Sequence, residues 1–151
     1  MIVLKGKEGV LAYVGKDIGT GPWMELTQDR INTFAKASGD YQWIHVDEER
    51  AKSGPYKKTI AHGVLTLAML NDLTAELFKF EGFKMTLNYG YEKIRFPAPA
   101  PVGSKLRGRA KVLSCEDASG GAIHTLMELT VEIDGSPKPA CVAQMIFRHI
   151  P

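Results

Sequence analysis

The chain has little cysteine: 2 residues in 151, Cys115 and Cys141. Neither belongs to a CxxC pair or has zinc-knuckle spacing. That excludes a disulfide scaffold, and both read as small core residues of a reducing compartment. The chain also lacks an excess of one charge. Its 19 Lys and Arg stand against 17 Asp and Glu, a formal +2. There is no arginine-rich tract or aromatic-interleaved basic patch, which argues against a nucleic-acid partner. Long apolar runs are missing from the N-terminus, where "MIVLKGKEGVLAYVGKDIG" is interrupted by Lys5, Lys7 and Glu8. No signal-peptide apolar region and no span of ~20 residues fits there, so the expectation is a cytoplasmic protein without a membrane partner. Repeats, low-complexity tracts and linkers are absent too. Residues 1–151 therefore read as one domain, long enough to bury roughly two-thirds of its unfolded surface.

What is present falls into two halves. In the first, Thr27 is placed to cap "QDRINTFAKAS", with Asp29 in its first turn and Ile31, Phe34, Ala35 and Ser38 at helical spacing. Gly39 stands where a left-handed C-terminal residue belongs. "VDEERAKSG" reads as a second short helix, capped by Asp47 and ended by Gly54-Pro55. From Gly63, "GVLTLAMLNDLTAELFKF" is apolar nearly all round and predicts one long buried helix. After Gly82 the period becomes two. Leu106, Gly108, Ala110 and Val112 alternate with Lys105, Arg107, Arg109 and Lys111; Ile123, Thr125, Met127, Leu129, Val131 and Ile133 share one face. With Met85–Phe96 and "ACVAQMIFRH", this gives four long strands joined by short turns. Helices first and strands after imply an α+β domain, an antiparallel β-sheet wrapped around a central helix. Its exposed edge invites pairing with a second copy.

The chemistry-bearing residues lie in the helical half. Asp40 follows a helix end and His45 comes five residues later, wrong for one helical face but workable in a folded-back loop. A carboxylate and an imidazole sharing one water can take its proton and return one to a neighbouring carbon. The helix C-terminus favours the protonated imidazole and disfavours the ionised carboxyl, and desolvation would bring both groups nearer neutrality. The same residues also fit a plain turn with a hydrogen-bonded structural histidine. Downstream, "AHG" opens the apolar helix. The Gly63 N–H is an orphan donor at the positive end of that helix, suited to an oxygen gaining negative charge. Glycine there also permits close approach to the backbone. His62 reads as a structural group bonding backbone near this turn.

Together, "FAKASGDYQWIHVDEERAKSGPYKKTIAHGVLTLAML" resembles the signature of the MaoC-like (R)-specific enoyl-CoA hydratases. "GDYQWIH", "GPYKKTIAHG" and "LNYGYEKIRFPAPAPVGSKLRGR" are most similar to the nodulation-protein-N-like branch. The resemblance covers about Trp23 to Arg109. It implies a hot-dog fold, a homodimer, and addition of water to a trans-2-enoyl thioester to give an (R)-3-hydroxyacyl product. By this resemblance Asp40 and His45 activate the water and supply the proton to C2, while the Gly63 N–H polarises the thioester carbonyl. No metal or resident cofactor is implied; coenzyme A enters as part of the acyl-CoA substrate. One departure stands out. Where relatives often carry a helix serine near the acid, this chain has Ala68 and Asn71, with Thr66 the nearest hydroxyl, so Asn71 is a candidate substitute donor.

Other features have simpler readings beside functional ones. Lys57 and Lys58, before the HG turn, and Arg107, on the basic strand face, are candidate contacts for coenzyme A phosphates; a solvated sheet face is the commoner explanation for Arg107, and Lys57 and Lys58 have the better case because their loop should border the site. Trp43 is expected to pack against the core and hold the loop. Asn88-Tyr89-Gly90 fits a pocket wall or the sheet. "FPAPAP" at Phe96–Pro101 is a stiff extended connection. The competing functions are a hot-dog acyl-CoA thioesterase and a non-catalytic acyl-thioester binder. Retention of both Asp40 and His45 favours hydration.

Overall fold

Strict alternation puts one face of each strand on a core, and the structure, a computed structural model, builds its sheet from those faces. It describes residues 1–151. The elements are β1 (Ile2–Lys5), α1 (Gly6–Leu11), β2 (Asp17–Thr20), β3 (Met24–Glu25), α2 (Gln28–Ser38), α3 (Trp43–Val46), α4 (Glu48–Lys52), α5 (Gly63–Ala68), α6 (Leu70–Leu73), β4 (Phe78–Glu81), β5 (Met85–Arg95), β6 (Lys105–Asp117), β7 (Ile123–Ile133) and β8 (Cys141–Ile150). The main sheet runs β2-β6-β7-β8-β5, all antiparallel, with β3 also pairing with β6. Bulges between Val112 and Ser114 in β6, and at two places in β5, add the bend that lets the sheet wrap.

The expected inward rows are the observed core. Leu106, Ala110 and Val112 of β6, Met127, Leu129 and Val131 of β7, and Ala143, Met145 and Phe147 of β8 pack with Leu65, Met69, Leu70 and Leu73. Each of the Leu, Val, Met and Phe side chains among them, removed from water, contributes about 1.5–3 kcal/mol. This helix-in-a-curved-sheet arrangement is the one the resemblance implies.

The long helix needs correcting. It ends at Leu73, with a jog at Met69 between α5 and α6, and "LFKF" becomes strand β4 beside β1 in a small parallel pair. The stop has two causes. The Thr74 hydroxyl donates to the Leu70 carbonyl at 2.7 Å, turning the chain. The Leu73 carbonyl also lies against Gly108, where any Cβ would sit 2.7 Å from that oxygen, so the helix end abuts the sheet. A continuous apolar run does not distinguish helix from buried strand, which is why periodicity overextended it. No helix is long and apolar enough to cross a membrane.

Candidate active site

Helix α2 delivers the acid. Thr27 Oγ1 accepts from the Arg30 N–H at 3.2 Å, and Gly39 closes the helix with φ of 77°. Asp40 follows, its Oδ1 accepting from the Gln42 N–H at 3.2 Å in an Asx turn. The chain then makes the single helical turn α3, where an irregular segment was expected. Asp40 is exposed, whereas His45 is buried.

His45 is 6% exposed, and its Nδ1 lies 2.7 Å from the Ile60 carbonyl. A carbonyl only accepts, so Nδ1 carries the proton and a neutral ring keeps its lone pair on Nε2. Burial is the main cause holding its pKa below the ordinary 6.5, helped by the adjacent His62; the Ile60 bond and the Asp40 charge oppose it. His62, 3% exposed, donates from Nε2 to the Asp40 carbonyl at 2.9 Å and leaves Nδ1 without a partner. Its ring stacks on His45, centroids 3.8 Å apart at 24°, and Phe34 meets it edge-on at 4.9 Å.

One ligand atom from each of Asp40, His45 and His62 lies within 4.8 Å of the other two. A water between the carboxylate and the His45 imidazole reaches both at ordinary hydrogen-bond length. Distance alone would also admit a metal ion. Each ring bonds a backbone carbonyl through one nitrogen and leaves the other, His45 Nε2 and His62 Nδ1, without a protein partner.

Gly63 begins α5, and its N–H has no backbone acceptor, whereas those of Leu65 and Thr66 bond the His62 carbonyl. A Cβ at Gly63 would lie 3.0 Å from the Phe96 ring, so any side chain there would push that ring back by a few tenths of an ångström. A cavity of about 320 Å³ opens here, bounded by His45, Gly63, Thr66, Phe96, Ala100 and Ala140. "FPAPAP", expected as a connection only, is thus a cavity wall. It is tied to the site by the Ala61 N–H bonding the Ala100 carbonyl at 2.9 Å and by an Ile60–Pro101 bridge.

With that geometry in place, the chain can be set beside known proteins. The family described as MaoC like domain matches residues 10–133. The chain belongs to the MaoC-like family. It is 47% identical over 139 residues to 3-hydroxyacyl-thioester dehydratase Z of Mycobacterium tuberculosis, covering 92% of each chain. It is 39% identical to Nodulation protein N of Rhizobium meliloti, covering 91% of this chain and 86% of that one. Among solved structures, the (R)-hydratase from A. caviae involved in PHA biosynthesis matches with TM-score 0.71 at 18% identity, covering 91% of this chain and 96% of that one. The fold is the hot-dog fold. This MaoC-like chain is an enzyme of the hydratase/dehydratase (hydro-lyase) class.

The other candidate residues of this MaoC-like chain are placed unequally. Lys57 and Lys58 stand exposed in the loop beside Tyr56, which itself lines the cavity; Lys57 has φ of 61°, unusual outside glycine. Asn71 is exposed, makes no side-chain hydrogen bond and does not line the cavity. Arg107 also stays out of the cavity. It is held by Glu132 at 2.6 Å and lies over the Trp23 ring at 4.4 Å. Trp43 is half-buried under the Arg50 guanidinium, 4.3 Å from its ring, and braces α4 rather than the core. Asn88, Tyr89 and Gly90 belong to the sheet. Two residues escaped the sequence reading: Gln28 and Thr59. The Gln28 amide donates to the His45 carbonyl at 2.8 Å, and the buried Thr59 hydroxyl donates to the Gln28 Oε1. A glutamine in a first helical turn and a loop threonine 31 residues away carry no sequence signal of such a link.

Proposed function

We propose that the chain catalyses (R)-specific hydration of trans-2-enoyl-CoA to (R)-3-hydroxyacyl-CoA, and the reverse dehydration. The observation that carries this is His45: neutral, its Nδ1–H committed to Ile60, its Nε2 lone pair free, and Asp40 within one water of it. The 3-hydroxyacyl thioester named for the 47% identical relative and the (R)-hydratase name of the solved structure supply the substrate and the hand.

Water is oriented by the Asp40 carboxylate and loses a proton to His45 Nε2 as its oxygen bonds to C3. The Asp40 charge favours the imidazolium as it forms. The π electrons of the C2–C3 bond move toward the thioester oxygen, which the Gly63 N–H stabilises. The imidazolium then returns the proton to C2, so one water is added and the histidine is regenerated. The thioester itself makes C3 electrophilic, and no metal or resident cofactor takes part. Lys57 and Lys58, exposed beside the cavity-lining Tyr56, are the proposed partners of the coenzyme A phosphates. A homodimer fits the edge strand β5, whose Met85, Leu87, Tyr89 and Tyr91 are all exposed.

Asp40→Asn and His45→Gln each lower turnover of crotonyl-CoA by at least ~100-fold while leaving circular dichroism and melting temperature unchanged. Wild-type-like turnover in either variant contradicts the assignment.

A further inference from the structure

We propose that His62 is a positioning residue that fixes the acid, the base and the oxyanion donor relative to one another. This rests on the hydration reading above. His62 is the N-cap residue of α5, and its carbonyl accepts from the Leu65 and Thr66 N–H groups at 3.0 and 3.2 Å. Its side chain does nothing for that helix. It makes no capping bond, at a position where a short hydroxyl, carboxylate or carboxamide side chain would supply one.

The ring serves the site instead. Nε2 carries the proton and donates to the Asp40 carbonyl at 2.9 Å, across 22 residues of sequence. That bond ties the turn bearing the carboxylate to the start of α5. One ring face stacks on His45 with centroids 3.8 Å apart, and Phe34 of α2 meets the ring edge-on at 4.9 Å. The Ile60 carbonyl fixes His45 at Nδ1 only; a flat neighbour on its face keeps the imidazole from swinging about that bond. Gly63 follows directly, so the N–H proposed to meet the thioester oxygen belongs to the peptide that His62 itself forms. The residue type matters as much as its place. His62 Nδ1 is buried without a protein partner, which costs stability, and phenylalanine would supply a ring without that cost. Phenylalanine has no N–H for Asp40, and glutamine has no ring for His45. Histidine supplies both.

Two variants separate the two contacts. His62→Phe keeps the stack and loses the bond to Asp40; His62→Gln keeps an N–H in place of Nε2 and loses the stack. Each is expected to lower kcat for crotonyl-CoA at least ~10-fold, with KM within a factor of about two. In an Asp40→Asn background, His62→Phe costs less than about 2-fold more, because the carboxylate it held is already gone. The ring proton on His45 Nδ1, followed by heteronuclear NMR of the histidine rings, stays visible in His62→Phe and is lost to exchange with water in His62→Gln. Circular dichroism checks folding, and one folded variant suffices: His62→Phe is judged by its non-additivity with Asp40→Asn, His62→Gln by the ring proton. Turnover within about 2-fold of wild type in either variant overturns the proposal. So do losses that add fully to those of Asp40→Asn, or a His45 ring proton unchanged in His62→Gln. A wild type that binds crotonyl-CoA without turning it over refutes hydration instead, and the ring proton then decides whether His62 holds His45.

Discussion

Two buried histidines show what separates a structural ring from a reactive one. His149 is 0% exposed, with Nδ1 2.8 Å from the Thr86 hydroxyl and Nε2 2.9 Å from the Thr125 hydroxyl. Phe83 stacks on it at 4.4 Å. Both nitrogens are satisfied and nothing remains for chemistry. His45 keeps a nitrogen free beside a carboxylate. Burial holds the His149 pKa down to about 4, from 6.5. The unfolded chain therefore binds the extra proton first as pH falls. The stability from this neutral ring is complete above about pH 6.5 and is lost on descending toward 4. Chemical denaturation is expected to show about 2 kcal/mol less stability at about pH 5 than at about pH 7.5, with most of that difference gone in His149→Gln. Equal pH dependence in both proteins contradicts it.

At the scale of elements, α3 is too short to stand alone. Three bonds besides its own hold it: Gln28 to the His45 carbonyl, the Ile60 N–H to the Ile44 carbonyl at 3.0 Å, and His45 Nδ1 to the Ile60 carbonyl. In the proposed mechanism Gln28 is a positioning residue: it holds the His45 backbone and does not line the cavity. Gln28→Ala is expected to lower kcat about 10-fold with KM nearly unchanged, because the ring loses its fixed aim. The wild-type pH–rate profile falls on its acid side below 6.5, where His45 takes a proton; in the variant, water entering around the ring moves that limb up toward 6.5. Gln28→Glu keeps the Thr59 contact but not the donor to His45 and does not rescue. An unmoved acid limb would reduce Gln28 to ordinary packing.

Legibility also differed between elements. Helix α2 carries both its caps in sequence, Thr27 and Gly39, and strands β6 to β8 announce their inward rows by alternation. The N-terminal strands do not. β1, β2 and β3 span four, four and two residues, and their partners are Phe78–Glu81 and β6, so the information lies in remote pairing. The end of the central helix was hidden for the same reason: the glycine that receives it, Gly108, lies in another element.

Across the whole molecule, the residues proposed to react were readable in sequence and the cavity around them was not. Asp40, His45 and Gly63 form two short motifs whose residue types suit water and an oxyanion. The walls come from Phe96–Ala100 and Ala140, which nothing but the wrapped sheet brings to His45. Arg107 shows the converse. It reads as a free cation on a basic strand face, and the antiparallel register with β7 places Glu132 directly opposite it. The central claim is that this enclosure adds water to a carbon–carbon double bond and leaves the thioester intact. The most direct measurement follows the enone absorbance of crotonyl-CoA and free thiol together in one reaction. The expected result is loss of the enone band with no thiol released. Thiol appearing in step with the reaction, or an enone band that stays unchanged, would contradict it.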